Sequence, residues 1–332
     1  MSASKPDTNR STCNISQSSF LITGAAGFIG SNIVRELVRL NAKKIVLLDN
    51  LSTGFQENIN EFLVEPNVDF IKGDIRDVET CALACDGIDF VFHHAALGSI
   101  PRSIDTPLET NSVNVTGFLN MLNASRLAKV KKFVFASSSS VYGDDSSELK
   151  MEERTGSPLS PYAVTKTINE LYAEVFHKTY GMPTIGLRYF NVFGPCQNMN
   201  GPYAAVVPIF INRLLDNDSC RIFGDGKNTR DFTYVDNVVS AVLKAGLSAN
   251  ENSLGKVFNI ACGTCVSVND LYNFIAAEIG TELQVEYASV RKGDIMNSLA
   301  DITKARIAFG YEPIIGIEDG LRNTINWYRN KK

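Results

Sequence analysis

The chain has 332 residues, of which 44% are hydrophobic and 20% are charged, and its formal net charge is -4. This composition is typical of a globular protein with one large domain and a smaller one. Because the charge is weakly negative and no apolar run is long enough to span a bilayer, we expect a cytoplasmic protein that binds neither nucleic acid nor membranes.

Residues 1–18 are rich in Ser, Thr and Asn and lack the apolar stretch of a signal peptide. We therefore expect a flexible arm over 1–18, with folding from Ser19. The seven cysteines are an odd number at irregular spacing, which favours a reducing compartment over a disulfide framework. Cys262 and Cys265 have redox spacing without a thioredoxin context, and three histidines give little support for a metal site, so we expect no metal.

Short apolar runs alternate with helical segments along the first part of the chain. The apolar runs are 20–22, 45–48, 68–71, 90–92, 133–135 and 184–187. The helical segments are 28–40, 107–129 and 160–180, the last with Pro161 in its first turn and Gly181 as its stop signal. This alternation predicts an α/β fold, a doubly wound parallel sheet of the Rossmann type that is buried on both faces.

Beyond Asn191 the alternation breaks. Residues 192–232 hold many Gly, Pro, Asn and Asp residues, which predicts loops at the carboxyl ends of the strands, where such folds bind ligands. A helix from about Asp236, a strand near 257–260 and helices from Val268 and Ile317 complete the chain. We expect one domain from 19–191 plus about 233–262, and a smaller, discontinuous α/β domain from 192–232 plus about 263–330.

A glycine run marks a candidate nucleotide cradle. Gly24, Gly27 and Gly30 follow the first strand and open the first helix, so the backbone can approach a pyrophosphate. The spacing is G-x-x-G-x-x-G, which alone also fits an ordinary strand-to-helix turn. Asp49 ends the second strand 19 residues after Gly30, where a carboxylate binds an adenosine ribose and repels a 2′-phosphate. The pattern favours NAD over NADP.

Two acidic residues near this cradle have alternative roles. Asp49 could instead cap the turn 50–54, although its position after the glycine run makes that the weaker interpretation. Asp74, with Ile75, could flank the adenine, but an aspartate that merely caps a helix fits as well.

Tyr162 and Lys166 are a candidate acid/base pair, since residues four apart share a helix face. A free tyrosine titrates near ~10 and needs positive charge to hold its phenolate, which Lys166 and a bound nicotinamide would supply. Ser138, at the end of the fifth strand, could donate to the same substrate oxygen. Tyr-x-x-x-Lys also arises by chance on amphipathic helices, but after the cradle and the serine run 137–140 we favour proton transfer.

From Phe20 to Tyr328 the sequence resembles the extended short-chain dehydrogenase/reductase class and, within it, bacterial UDP-N-acetylglucosamine 4-epimerases. The stretches that carry the resemblance are 24–30, 94–103, 137–143, 160–166, 188–194, 230–232 and 291–294. It implies that Tyr162 is the catalytic base, that Lys166 adjusts the pKa of Tyr162 and anchors the ribose, and that Ser138 is the hydroxyl partner. It also implies that the larger domain binds NAD and the smaller one the nucleotide sugar.

The resemblance and the motifs together predict the binding residues. The cofactor contacts are Gly24, Gly27, Phe28, Ile29, Gly30, Asp49, Asn50, Ser52, Thr53, Gly54, Asp74, Ile75, Ala95, Ala96, Leu97, Asn114, Tyr162, Lys166 and Tyr189. The substrate contacts are Gly98, Ser99, Arg102, Ser139, Ser140, Asn191, Gln197, Val206, Val207, Arg221, Phe223, Arg230, Arg291, Asp294 and Ser298. Arginines suit a diphosphate, although any one of them could be a surface ion-pair residue.

The serine run bears on the reaction. Related dehydratases carry Thr-Asp-Glu where this chain has Ser138-Ser139-Ser140, so no carboxylate is placed for elimination. Oxidation followed by reduction remains, which implies a 4-epimerase acting through a 4-keto sugar. In the resembling family two helices per chain, here 107–129 and 160–180, form a dimeric four-helix bundle, so we expect a homodimer.

The sugar is predicted from one position. Ser298 matches a site where glucose-restricted epimerases have tyrosine, so a serine leaves room for the acetamido group of a UDP-N-acetylhexosamine, unless Ser298 is a simple loop residue. Arg102 could instead recognise a C6 carboxylate, which makes a UDP-N-acetylglucosaminuronic acid 4-epimerase the alternative. A non-catalytic NAD-binding regulator on the same fold is a more distant alternative.

Overall fold

A computed structural model describes residues 14–199, 204–289 and 297–331 of the chain. Its strands are β1 (Ser19–Thr23), β2 (Lys44–Asp49), β3 (Val68–Lys72), β4 (Phe90–His93), β5 (Lys132–Ser138), β6 (Leu149–Lys150), β7 (Thr184–Tyr189), β8 (Val192–Phe193), β9 (Arg221–Phe223), β10 (Thr229–Arg230), β11 (Thr233–Tyr234), β12 (Lys256–Ile260), β13 (Val266–Ser267), β14 (Glu286–Ala288) and β15 (Asn297–Ala300).

The helices lie between these strands and after them. They are α1 (Phe28–Arg39), α2 (Val78–Cys85), α3 (Ile100–Asp105), α4 (Pro107–Asn111), α5 (Phe118–Leu127), α6 (Pro161–Tyr180), α7 (Val206–Leu215), α8 (Val235–Leu247), α9 (Val268–Ile279), α10 (Thr303–Phe309) and α11 (Ile317–Lys331).

Seven of the strands form one parallel sheet in the order β3-β2-β1-β4-β5-β7-β12. The apolar side chains of β1 and β7, and those of β5 except Ala136, are buried, as expected for strands covered by helices on both faces. The doubly wound α/β fold predicted from the alternation is therefore confirmed. All carboxyl ends of these strands lie at one edge of the sheet.

Helix α6 shows why the local sequence folds as it does. The Ser160 hydroxyl accepts a hydrogen bond from the Ala163 N–H at 3.2 Å, and Pro161 occupies the first turn. The helix ends at Gly181, whose φ of 66° closes the left-handed C-cap. The predicted helix 107–129 is interrupted, because a π-helical turn, Ser112–Gly117, lies between α4 and α5.

Outside the large sheet, a four-stranded sheet has the order β13-β10-β15-β6, and two strand pairs join β11 to β8 and β14 to β9. Helices α7, α9 and α11 contribute to a separate apolar core that includes Phe210, Leu271 and Ile325. The chain leaves the large sheet after β7, returns as β12 and leaves again, in line with a discontinuous second domain. The predicted domain boundaries stay a prediction.

The start of the chain differs from the expectation for residues 1–18. Residues 1–13 lie outside the described residues, but Ile15–Gln17 form a 3-10 turn capped by the Asn14 side chain. The Ser18 hydroxyl donates to the Asn14 carbonyl at 2.9 Å, so ordered structure begins before Ser19. Across residues 14–199, 204–289 and 297–331, no helix has the length and apolar character needed to cross a bilayer.

Candidate active site

A cavity of about 800 Å³ lies at the carboxyl ends of the parallel strands, and most of the predicted site residues line it. Those on the predicted cofactor side are Gly24, Gly27, Phe28, Ile29, Gly30, Asp49, Asn50, Ser52, Thr53, Gly54, Asp74, Ile75, Ala95, Ala96, Leu97 and Tyr189. Those on the predicted substrate side are Gly98, Ser99, Ser139, Ser140, Asn191, Gln197, Arg230 and Ser298. Ser138, Tyr162 and Lys166 line the same cavity.

The glycine run is packed so tightly that side chains do not fit. Gly24 has a φ of +68°, and a Cβ there would lie 2.8 Å from the Ala95 nitrogen. A Cβ on Gly30 would lie 2.1 Å from the Gly24 carbonyl oxygen. The turn therefore brings bare backbone and the N-terminus of α1 to the cavity, which fits a pyrophosphate group.

Asp49 caps the turn 50–54, which is the alternative to ribose binding, and it also contacts the glycine loop. Its Oδ1 accepts from the Leu51 N–H at 2.7 Å, and its Oδ2 accepts from the Ala26 N–H at 2.9 Å. Burial raises the pKa of this carboxyl. Since the carboxylate still lines the cavity, the two roles are compatible, and contact with a ribose stays a prediction.

Asp74 lies at the same end of the cavity. Its hydrogen bonds with Arg76 lower its pKa to about 2, and the Asn50 side chain donates to it at 2.9 Å. Asp74 is thus ion-paired with Arg76 at 2.6 Å, and Asp49 contributes a further carboxylate at this end of the cavity. The carboxylate of Asp49 disfavours the 2′-phosphate that distinguishes NADP from NAD.

The structure brings the three predicted catalytic residues together from two elements. Tyr162 and Lys166 lie on the first turns of α6, and Ser138 ends β5. The Ser138 side chain acts to lower the pKa of the Tyr162 phenol, and its Oγ accepts from the Ser140 N–H at 3.1 Å. Lys166 Nζ donates to the Ala136 carbonyl at 2.8 Å and lies 5.8 Å from the centre of the Tyr162 ring.

The acidity of Tyr162 differs from the expectation that nearby positive charge holds its phenolate. Burial raises the pKa of Tyr162 above its ordinary value, and the hydrogen bond with Ser138 offsets this only in part. The expected lowering by Lys166 is therefore not found, because desolvation penalises the phenolate more than its surroundings stabilise it. Burial lowers the pKa of Lys166 to about 8, against the opposing charge of Glu170.

Sequence reasoning missed His94, which lines the cavity directly after β4. Its Nε2 shares a 2.8 Å hydrogen bond with the Tyr189 hydroxyl, and burial lowers its pKa to about 4, so the ring is neutral. Its place after a strand, at the ligand-binding edge, was the available signal. The other cavity residues that were not predicted are Leu48, Gly73, Ile100, Val113, Ala136, Ser137, Tyr142, Lys150, Val192 and Ala205.

Asn114 is buried behind the cavity and does not line it, although it was predicted as a cofactor contact. Its Oδ1 accepts from the Leu97 N–H at 2.8 Å, and its Nδ2 donates to the Leu97 carbonyl at 3.1 Å. The side chain therefore holds the loop that lines the cavity. A polar residue between two elements gives the same sequence signal whether it touches a ligand or a loop.

Several predicted substrate residues are not brought to this cavity. Arg102, Val206, Val207, Arg221 and Phe223 are all described by the structure, and none of them lines it. Arg221 is exposed and forms an ion pair with Glu286 at 3.1 Å, the surface role considered for any arginine. Val207 is buried in the core around Phe210. Arg291 and Asp294 lie outside the described residues.

At the predicted sugar end, residues distant in sequence become neighbours. Arg230 on β10 and Ser298 on β15 are register partners in the four-stranded sheet. The Asn191 side chain donates to the Asp231 carbonyl at 2.9 Å, which joins β8 to this sheet. Ser140 Oγ and Gln197 Oε1 are buried and have no hydrogen-bond partner within the described part of the chain. Both are therefore available to a polar ligand.

Comparison with known proteins gives consistent matches along the chain. Residues 20–261 match the model of the NAD dependent epimerase/dehydratase family. The UDP-glucose 4-epimerase of Mycolicibacterium smegmatis is 37% identical over 94% of this chain and 98% of its own length. The UDP-glucuronate 4-epimerase of Thermodesulfobacterium geofontis is 33% identical over 93% of this chain and 95% of its own length.

A solved structure gives the same result. The UDP-N-acetylglucosamine 4-epimerase of Methanobrevibacter ruminantium, in complex with UDP-N-acetylmuramic acid, superposes with a TM-score of 0.90 at 38% identity, covering 95% of this chain and 99% of that one. The resemblance read from the sequence is confirmed, and so is NAD as the cofactor, since the matched family is NAD dependent. The chain belongs to the NAD dependent epimerase/dehydratase family.

Proposed function

We propose that this protein is a UDP-sugar 4-epimerase that interconverts UDP-N-acetylglucosamine and UDP-N-acetylgalactosamine. The observation that carries the proposal is that Ser138, Tyr162 and Lys166 meet in one cavity with the glycine turn. The epimerases among its relatives support the reaction class. A non-catalytic regulator would not require this set of residues.

The chain's own side chains move the proton and hold the sugar. Bound NAD supplies the acceptor and the donor of the hydride at C4. Tyr162 Oη takes the proton of the 4-hydroxyl as C4 is oxidised to a ketone and returns it after the ring has turned. Ser138 orients the sugar oxygen and favours the Tyr162 phenolate. Burial opposes the phenolate in the unliganded chain, and the positive charge that a bound nicotinamide would supply offsets this penalty. Arg230 anchors the diphosphate while the sugar turns.

The charges around the cavity favour epimerisation over elimination. The acidic residues that line it, within the described part of the chain, are Asp49 and Asp74, both at the predicted cofactor end. The positions beside the sugar carry the hydroxyls of Ser138, Ser139 and Ser140. A dehydratase needs an added acid and base next to the tyrosine to remove water, and hydroxyl groups do not provide them at neutral pH.

The direct test is mass spectrometry of the purified protein for NAD, followed by incubation with UDP-N-acetylglucosamine and separation of the two C4 epimers. Initial rates on UDP-glucose and on the uronate, UDP-N-acetylglucosaminuronic acid, are measured in parallel. We expect the neutral acetamido sugar to be the fastest, since Arg102, the residue that suggested a uronate, does not line the cavity. A faster uronate reaction would replace the proposed substrate.

Ser298 tests the choice of the acetamido sugar. It is 9% exposed, lies beside Arg230 and lines the cavity, and its small side chain would leave room for a substituent at C2 of the sugar. In Ser298→Tyr we expect kcat/KM for UDP-N-acetylglucosamine to fall at least about 10-fold, while that for UDP-glucose changes little, because a phenol ring fills the space. Rates on both sugars measure this, and an unchanged ratio would reject Ser298 as the determinant.

We also propose a homodimer, because helices α3, α4 and α6 carry exposed apolar side chains. Ile104 is 60% exposed, Leu108 86%, Leu171 56% and Val175 51%. Apolar residues that recur on adjacent helices mark an interaction surface, and a second copy of the same surface can cover them. These three helices from each chain would then pack against those of the second copy.

Leu171→Glu is expected to convert the dimer to a monomer, because it would bury a charge in the apolar interface. Light scattering coupled to gel filtration measures the mass. Ile307→Glu on α10 is the matched control, since Ile307 is 77% exposed on a helix whose Ala305 belongs to a different apolar core from that of Ala173 on α6, and it should keep the dimeric mass. A wild-type protein that is monomeric at micromolar concentration would end the dimer proposal.

A further inference from the structure

Glu170 has no role in the mechanism above, yet its carboxylate joins three elements that carry the site. It lies on α6, one turn beyond Lys166. Its Oε1 accepts from the Ser137 hydroxyl on β5 and from Arg188 Nε on β7 at 2.9 Å, and its Oε2 accepts from Arg188 Nη2 at 2.8 Å. The pair is buried, with side-chain exposures of 5% for Arg188 and 12% for Glu170.

These contacts are next to the cavity residues in all three elements. Ser137 and Arg188 are register partners across β5 and β7, and the following pair in the register is Ser138 and Tyr189. On the other side of Ser137, the Ala136 carbonyl accepts from Lys166 Nζ at 2.8 Å. A change at the Glu170 carboxylate is therefore expected to shift cavity residues on β5, β7 and α6.

Glu170 also supplies negative charge close to Lys166. Burial lowers the pKa of Lys166 to about 8, and the charge of Glu170 opposes this shift. From β4 and the residue after it, His93 and His94 face the lysine as neutral rings, because burial lowers the pKa of both. Arg188 on β7 is ion-paired with Glu170. On α6 itself, burial raises the pKa of Tyr162.

We propose that Glu170 is a positioning residue that keeps Lys166 in its charged form and aligns Ser138 and Tyr189 with Tyr162. The effect of Glu170 on turnover rests on the proposed epimerase function, whereas its effect on NAD binding does not. The isosteric variant Glu170→Gln separates charge from shape, since the amide oxygen can still accept from Ser137 and from one Arg188 nitrogen.

The experiment is calorimetric titration of the full chain with NAD between about pH 6 and about pH 9, the range in which a lysine with a pKa near 8 titrates. In the wild type we expect NAD affinity to fall as the pH rises past about 8, where Lys166 loses its charge. In Glu170→Gln the fall should begin about 1 pH unit lower, because the neighbouring negative charge is gone. Where the wild type is active, the alkaline limb of kcat/KM should move the same way.

Glu152→Gln is the matched control, since Glu152 is also a buried carboxylate but accepts from the Asn259 N–H instead. It should leave the alkaline limb of NAD affinity in place. If Glu170→Gln does not fold because Arg188 is left unpaired, the double variant Glu170→Gln/Arg188→Met removes both charges and should show a smaller movement in the same downward direction, because the carboxylate that favours charged Lys166 is still absent. An alkaline limb that does not move in the folded variant overturns the proposal, even if wild-type turnover is confirmed.

Discussion

Tyr162→Phe is expected to lower the kcat of epimerisation by about 10³-fold, within the range that general acid/base groups contribute. The phenyl ring keeps the shape of the side chain but has no oxygen to take the 4-hydroxyl proton. Because Tyr162 lies on α6 and is not part of the glycine turn, NAD and UDP binding should persist. Coupled assays measure kcat, and calorimetry measures both affinities.

Two outcomes distinguish a lost base from a damaged fold. If kcat falls while the melting temperature and the NAD affinity stay near the wild-type values, Tyr162 acts in the chemical step. If Tyr162→Phe retains wild-type turnover, another group must transfer the proton, and the mechanism proposed for the cavity is wrong.

Gly30→Ala is expected to abolish detectable NAD binding and to lower the free energy of unfolding by about 3 kcal/mol, the upper end for overpacking. The new Cβ would lie 2.1 Å from the Gly24 carbonyl oxygen and 2.8 Å from the Gly24 carbonyl carbon. Both are backbone atoms, so α1 must move away from the turn after β1. Chemical denaturation measures the stability, and titration measures the affinity.

Gly316→Ala provides the comparison for this substitution. A Cβ at Gly316 meets no atom within 4 Å, so the variant should bind NAD normally and keep its stability within about 0.5 kcal/mol. Equal behaviour of the two variants would show that the tight turn is not needed for the cofactor.

Much of the larger domain could be predicted because its signals are local. The apolar runs, the glycine spacing and the Ser160–Pro161 start of α6 each act within a few residues. All the predicted strands of the parallel sheet form, and the turn of Gly24 to Gly30 lies at the cavity. Tyr162 and Lys166 share a helix face by spacing alone, so their proximity required no knowledge of the rest of the fold.

The substrate side was predicted less completely. Arg221 and Arg230 carry the same guanidinium group, yet the first lies in a surface ion pair and the second lines the cavity. Their difference depends on which strands pair, since β10 lies next to β15 and thus Arg230 next to Ser298. Sequence spacing does not encode such neighbours.

By itself, the sequence determined the doubly wound fold, the cofactor turn and the Tyr-x-x-x-Lys helix, because periodicity and backbone geometry act over short distances. Only the tertiary structure decided that His94 contacts Tyr189, that Asn114 holds a loop and that Glu170 joins β5 to β7. The physical reason is that a buried polar group is stabilised by partners brought close through the strand order of the sheet, and that order is a property of the whole chain.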